Sequence, residues 1–355
     1  MKFFLLSILF CCSGQALVTN WYSSLPDNSK FRVSEDLKKR VNFWVKIYSY
    51  YSTTQGVFHL TDNPSFILGE IDLTDIYNNS TLSDAKKISR IEIEVKNKKK
   101  YYANKYKINP AKVRLQMGLR DRMRKALYLS GKYINQMEKI FKDENIPIEL
   151  TRLVYVESSF NIYAQSKVGA SGLWQIMPSV AKPKGYIANN FDKRNHPIYA
   201  TKLAAKIMKQ NYSAFKSWPL AITAYNHGLT GVKRMVKKNN SDQIEELISS
   251  KNVTSSWGFA SKNFYACFLA VLEVERSAPE LFGNDLIKSA GLNFREYYLP
   301  NRTKKSEILK WFDGSLTRFR QMNPHLNWSA FKNKKIVPAG VPLMIPEKNF
   351  SLVRN

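Results

Sequence analysis

Acid–base chemistry needs a titratable group held away from its ordinary ionisation, and Glu157 stands where that would happen. It ends the run Leu150 to Val156, apolar except for Thr151 and Arg152. A helix apolar on most sides is a buried helix, and a carboxylate at its end is expensive to desolvate. Desolvation disfavours the charged form, so such a carboxyl keeps its proton closer to neutral pH. Protonating the leaving oxygen of a glycosidic bond, while the sugar develops oxocarbenium character, requires that property. Glu157 is therefore the candidate acid of an enzyme that cuts polysaccharide. The competing account is an exposed glutamate near a helix end.

The residues around it suit a sugar. Gly169-Ala170-Ser171-Gly172 lets the backbone turn tightly and approach a substrate. Trp174 offers a flat face to a sugar ring or, as tryptophan more commonly does, packs in the core. Gln175 both donates and accepts hydrogen bonds, as acetamido and hydroxyl groups require. Much later comes Ala224-Tyr225-Asn226. Its phenol and carboxamide orient Glu157, hold the sugar, or only cap helices. The four histidines, and the one cysteine (Cys267) outside the first sixteen residues, lie far apart in sequence. Metal-ligand spacing is absent, so neither metal nor cofactor is expected.

Stepping outward, the expected elements are mostly helices. Residues 33–51 carry Leu37, Val41, Trp44, Val45, Ile47 and Tyr48 near helical spacing. Two short strand-like runs, 57–60 and 66–73, flank the turn signal Asp62-Asn63-Pro64. Residues 78–107 are polar and basic, a solvated helix face or linker. From Met117 to Asn145 one helix is expected, with Leu119, Met123, Leu127, Ile134, Met137 and Phe141 near one face. The next, about 147–158, carries Glu157. Further helices are expected near 170–181, 197–211, 219–227, 228–238, 241–249 and 260–277. Without a period-2 run, 117–278 reads as all-α or nearly so. After Pro279, Gly283 and Asn284, residues 290–350 read strand, helix, helix, strand.

Length and composition bound the class. The chain has 355 residues, enough for two or three domains, and 44% are hydrophobic, ample for a core. Its 55 basic against 28 acidic residues give a formal charge of +27, which favours a polyanionic partner. Lys2, the apolar run Phe3 to Phe10 and Gly14-Gln15-Ala16 have the order of a secretory signal, too short to span a membrane. Export argues against intracellular nucleic acid and leaves anionic envelope surfaces or wall polymers. Phe10 before Cys11 and Cys11 before Cys12 disfavour lipidation. No other stretch is long and apolar enough to be an integral membrane span.

Three blocks together resemble a known family. V-E-S-S-F (Val156 to Phe160), A-x-S-x-x-G-A-x-G-L-W-Q (Ala164 to Gln175) and A-Y-N (Ala224 to Asn226) are similar, in order and spacing, to the signatures of the family 1 lytic transglycosylases. The flanks Ile146-Pro147-x-Glu149-Leu150, Asp192-x-Arg194 and Ser261 to Tyr265 resemble its membrane-bound D branch, and Phe43 to Tyr48 does so more faintly. The resemblance implies a mainly α protein, with a goose-lysozyme-like all-α catalytic domain over 117–285. Before it would come a signal peptide (1–16) and a small α+β accessory region (17–116). After it would come a small α+β degenerate LysM-like unit (290–350). That unit's fragments, Leu316 to Pro324 and Ile336 to Pro346, lack the usual G-D-T-L, so a structural cap competes with a glycan binder.

By the same resemblance, Glu157 matches the single catalytic acid/base. Ser166 and Gln175 match residues lining the glycan groove, Tyr225 the tyrosine beside the carboxylate, and Asn226 completes that block. The implied reaction cleaves the MurNAc–GlcNAc β-1,4 bond of peptidoglycan glycan strands and closes a 1,6-anhydro ring, in the periplasm or cell envelope, outer-membrane association included. Tyr155, Val180 and His227 depart from the family pattern, His227 reading most simply as a helix-end residue. Two alternatives stay open: a hydrolytic muramidase with Asp192 as second carboxylate, although Asp192 with Arg194 reads more simply as a structural pair, and a non-catalytic wall-binding protein.

Overall fold

The structure, a computed structural model, describes residues 30–31, 33–327 and 335–353. The secretory-signal expectation, with Cys11 and Cys12, lies outside the described residues. The chain opens with α1 (Glu35–Ser49), β1 (Gln55–Leu60), β2 (Ile67–Asp72), α2 (Thr74–Asn78), α3 (Asp84–Lys105) and β3 (Val113–Met117). Then come α4 (Arg120–Ser130), α5 (Ile134–Asp143), α6 (Leu153–Ser158), α7 (Pro178–Ala181) and the hairpin of β4 (Ile187–Ala188) and β5 (Phe191–Asp192). Six helices follow: α8 (Pro197–Phe215), α9 (Trp218–His227), α10 (Leu229–Asn239), α11 (Ile244–Ser249), α12 (Phe259–Arg276) and α13 (Ala278–Phe282). The chain closes with β6 (Phe294–Tyr298), β7 (Thr303–Lys304), α14 (Lys305–Lys310), α15 (Leu316–Met322), β8 (Ile336–Val337) and β9 (Pro342–Pro346). The fold is mainly α. Among the described residues no helix is long and apolar enough to cross a membrane.

The main hydrophobic core is built by α1 and by the helices from α4 to α13. Ser34 caps α1, accepting from Leu37 N, and Glu35 and Asp36 favour its positive end. The inner face of α1 lies along α12, where Arg40 Nη1 and Trp44 Nε1 both donate to Asn263 Oδ1 at 2.9 and 3.0 Å. The first helix of the region expected as accessory thus packs into the main core, because its apolar stripe finds its partner on α12. The rest of that region has a small core of its own, a sheet of order β2-β1-β3 under Tyr102 and Ala103 of α3. Both pairings are antiparallel, with Val57 opposite Glu70 on one side and Gln116 on the other. The charged run 84–105 is a largely exposed helix.

One helix was expected from Met117 to Asn145, and the structure has two. The break falls at Gly131, where a Cβ would lie 2.1 Å from the Ser289 carbonyl oxygen. A chain crossing this close needs glycine and interrupts the helix, a constraint that apolar spacing does not report. The C-terminal residues form an α+β unit with the expected order of strand, helix, helix and strand. Antiparallel β6 and β9 pair from Phe294–Pro346 to Tyr298–Pro342 over a core of Leu299, Ile308, Phe312, Phe319, Leu343 and Ile345. The two-residue strands β7 and β8 add a pair that the sequence did not suggest.

Candidate active site

The backbone around Glu157 is set by a short, sharply ended helix. Pro147 is extended, a 3-10 turn covers Ile148–Arg152, and α6 continues for six residues. Leu150, Leu153, Val154 and Tyr155 are fully buried, which fixes the helix by its apolar side. It ends at Ser159 (φ 50°), with Phe160 also left-handed at φ 59°. Ser159 N donates to Tyr155 O and Phe160 N to Val154 O, a Schellman-type ending without the customary glycine. Two consecutive left-handed residues without glycine cost roughly 1–2 kcal/mol each. That local strain begins two residues after Glu157.

Glu157 has no hydrogen-bond or salt-bridge partner among the described residues. Burial is the one cause acting on it and pushes its carboxyl up to about 8. The group is therefore a neutral acid at neutral pH, able to donate a proton. Burial also raises the Tyr225 phenol well above its ordinary value, and the neighbouring Glu157 charge adds to it. The Tyr225 hydroxyl donates to the Trp174 carbonyl at 2.8 Å, so this phenol ties the strand of loop before Gln175 to α9 beside the acid. Asn226 is exposed at the end of α9.

The glycine-rich segment is a stitched loop. Ser166 Oγ accepts from Ala170 N at 2.9 Å, and Gln175 Nε2 donates to Ala164 O and Gly172 O. Gln175 itself is left-handed at φ 45°. Its donor is thus used by the loop, and Oε1 is the atom left to face a ligand. Gly169 and Gly172 have φ of 90° and 75°, and a Cβ on Gly172 would sit 2.0 Å from the Arg194 carbonyl oxygen. Arg194 holds the loop at two points, donating from Nη1 to Gly169 O at 2.8 Å and to Ile176 O at 2.9 Å. Its other nitrogens grip Asp192 at 2.7 and 3.0 Å. Asp192 is accordingly committed to a structural pair.

Trp174 is not a sugar platform. It is 0% exposed, stacks on Phe141 with centroids 5.5 Å apart, and donates from Nε1 to Thr201 Oγ1 at 2.8 Å. Sequence cannot separate the two roles of a tryptophan beside a glycine turn; here the core on α5 and α8 takes it. His227 is a helix-end contact, with Nδ1 2.8 Å from Ser261 Oγ and its ring edge-on to Trp257. Burial lowers its pKa.

The structure adds residues that sequence reasoning passed over. Tyr48 of α1 is buried beside Cys267 and lies near enough to Glu157 to sense its charge. Its signal was the apolar spacing of residues 43–48. Behind α6, Tyr155 Oη donates to Glu275, which Arg152 Nε holds at 2.6 Å; Arg152 also bonds Glu138. Glu275 lies over a hundred residues from both Arg152 and Tyr155, beyond the reach of any local pattern.

Residues 133–248 match the family model described as "Transglycosylase SLT domain". The membrane-bound lytic murein transglycosylase D of Escherichia coli (strain K12) is 36% identical over 100 residues, which are 28% of this chain and 22% of that protein. A putative tributyltin chloride resistance protein of Alteromonas sp. (strain M-1) is 36% identical over 115 residues, 31% of this chain and 54% of that protein. The chain thus spans between about a fifth and about half of the length of these relatives. The solved structure of an inactive mutant of lytic transglycosylase Slt from Pseudomonas aeruginosa aligns with a TM-score of 0.33 and 21% identity, covering 44% of this chain and 25% of that one. Residues 133–248 are thus the part of this chain that is similar to the transglycosylase SLT domain.

Proposed function

We propose that the protein is an exported lytic transglycosylase acting on peptidoglycan glycan strands. The observation that carries this is Glu157, a carboxyl kept protonated by burial alone and without a second carboxylate committed to it. In the first step Glu157 gives its proton to the oxygen between N-acetylmuramic acid and N-acetylglucosamine. The C1–O bond breaks and the muramoyl C1 becomes oxocarbenium-like. In the second, the Glu157 carboxylate takes the proton of the muramoyl O6 hydroxyl as O6 bonds to C1, closing a 1,6-anhydro ring. One glutamate suffices because the nucleophile belongs to the substrate and is already near. The commitment of Asp192 to Arg194 supports this over hydrolysis. Ser166, Gln175, Tyr225 and Asn226 line the groove, with Tyr225 positioning the loop against Glu157.

The remaining assignments are part of the same proposal. The chain is organised as signal (1–16), N-terminal region, goose-lysozyme-like catalytic domain over 117–285 and a C-terminal unit with a LysM-like order of elements. The place of action is the periplasm or cell envelope, and the excess of basic residues suits anionic envelope surfaces. Digestion of purified sacculi tests the chemistry. The product should be lighter than the hydrolysis product by one water, and Glu157→Gln should lower the rate at least about a thousandfold while still binding sacculi. Because the proton must be present, kcat should fall as pH rises through about 8. Full residual cleavage by Glu157→Gln would sink the assignment, and release of non-anhydro ends would favour the muramidase. Binding without any cleavage by the natural chain would mark a wall-binding protein.

A further inference from the structure

A recess runs past the residues that directly follow Glu157. It is a cleft of about 1210 Å³ between the main helical core and the C-terminal unit. Its lining starts at Ser158, the residue after Glu157, and continues through Ser159 and Phe160 to Tyr163. Five cations border it: Arg122 and Lys125 from α4, Lys132 from the α4–α5 break, Arg318 from α15 and Lys348 near the C-terminus. The one carboxylate among the lining residues, Glu347, is held by Arg295 at 2.6 Å. Arg318 and Lys348 share Asp313. Arg122, Lys125 and Lys132 form no salt bridge among the described residues. Like charges converging on a concavity focus a positive potential that favours an anion. Leu129, Ile162 and Leu292 give the same cleft apolar surface, as a small-ligand site requires.

We propose that this cleft binds the carboxylate-bearing peptide carried by the glycan strand. The proposal rests on the reading of Glu157 as the acid of a peptidoglycan-cutting enzyme, and it names the part of that substrate which this cleft would hold. In that polymer the peptide hangs from the lactyl group of the muramoyl sugar, the sugar whose C1 reacts at Glu157. It must therefore leave the reacting centre within a few ångström, and the cleft begins one residue from the acid. Three extended residues reach about 10 Å, which a recess of this size accommodates. A peptide of alanine with acidic neighbours would set its methyl groups against the apolar lining and its carboxylates on Arg122, Lys125 and Lys132, through charge-assisted hydrogen bonds. Two separately packed cores supply the two walls, so the site exists only where the C-terminal unit is seated.

The test uses the full chain, the tripeptide L-Ala-γ-D-Glu-meso-diaminopimelate, and glycan strands with and without their peptides. Titration calorimetry should show tripeptide binding that weakens with salt. Lys132→Glu, and separately the pair Arg122→Ala with Lys125→Ala, should weaken it at least about tenfold, the factor for one charge-assisted contact, with unchanged thermal unfolding. On peptide-bearing strands the same variants should raise KM by a similar factor with kcat kept. On stripped strands they should cut like the natural chain. The proposal is overturned if the tripeptide does not bind, if the variants bind it equally, or if they lose as much on stripped strands. Direct binding of polyglycerol phosphate with no tripeptide binding would also overturn it and mark a site for phosphate polymers. If the natural chain binds the tripeptide through these residues yet cuts no strand, the enzymatic reading falls and the cleft assignment stands.

Discussion

Two carboxylates in the main core lie on opposite sides of α6, and they behave oppositely. Burial alone would raise Glu275, but Arg152 at 2.6 Å and Lys288 at 3.3 Å outweigh it and hold its pKa below the ordinary value. Glu157 is also raised by desolvation, has no cation to offset it, and goes up to about 8. Depth alone therefore does not decide which way a carboxyl's pKa moves. What separates them is the placing of a guanidinium: given to one carboxylate it makes a structural anion, withheld from the other it leaves a stored proton. Tyr155, whose hydroxyl reaches Glu275 two residues before the acid in sequence, anchors the helix on the paired side so that the unpaired side stays defined.

The contrast breaks hardest at Arg152. Arg152→Met leaves Glu138 and Glu275 without their partner in a poorly solvated place, and should cost about 3–5 kcal/mol in denaturant unfolding. Gly172→Ala comes next, since the added Cβ meets a carbonyl oxygen at 2.0 Å in a left-handed residue. It should lose about 2–3 kcal/mol and loosen the loop, seen as faster amide exchange over 164–176. The Glu157 side gives the opposite sign. Its raised pKa means that its stabilising protonated form is fully present below about 4.5 and is lost as pH rises through about 8. Glu157→Gln should therefore be more stable than the natural chain at pH 9, on the order of 2 kcal/mol, discounted from roughly 1.4 kcal/mol per pKa unit because the carboxyl is partly open to water. It should be about neutral at pH 4. Glu275, held low, contributes above its unfolded value and loses that contribution as pH falls through its folded one, so Glu275→Gln should flatten the acid limb. The smallest expected effect is Tyr225→Phe, about 1 kcal/mol for one hydrogen bond, with activity reduced about tenfold by a looser Gln175 loop.

What could be foreseen divides along the same lines. The nearness of Tyr225 to Glu157 was implied by the family resemblance alone, whereas the place of Glu157 at the end of a buried apolar run and the tight glycine turn were legible because their constraints are local, an apolar run and a positive φ. The strand–helix–helix–strand order of the C-terminal unit was legible for the same reason. The break at Gly131 was not, because it answers to Ser289 across more than a hundred and fifty residues. Nor was the burial of Trp174, since a flat apolar ring suits a sugar and Phe141 equally well. The incorporation of α1 into the main core follows from Asn263 on α12, a partner that no spacing within α1 reveals. The guanidinium that tells Glu275 from Glu157 is likewise a fact of folding, although each residue alone was in plain view.

The short hairpin beside the site carries one more consequence. Asp192, whose side chain grips Arg194, donates its backbone N–H to the His325 carbonyl of the C-terminal unit at 2.7 Å, and Phe191 bridges Leu326 next to it. The arginine that fastens the glycine loop is thereby referred to a surface from the far end of the chain. Such a tail is not a freely exchangeable module. A recombinant that swaps residues 290–353 for an unrelated sugar-binding domain would inherit a loop without its outer brace, so the lineage of the tail and that of the loop are expected to have travelled together.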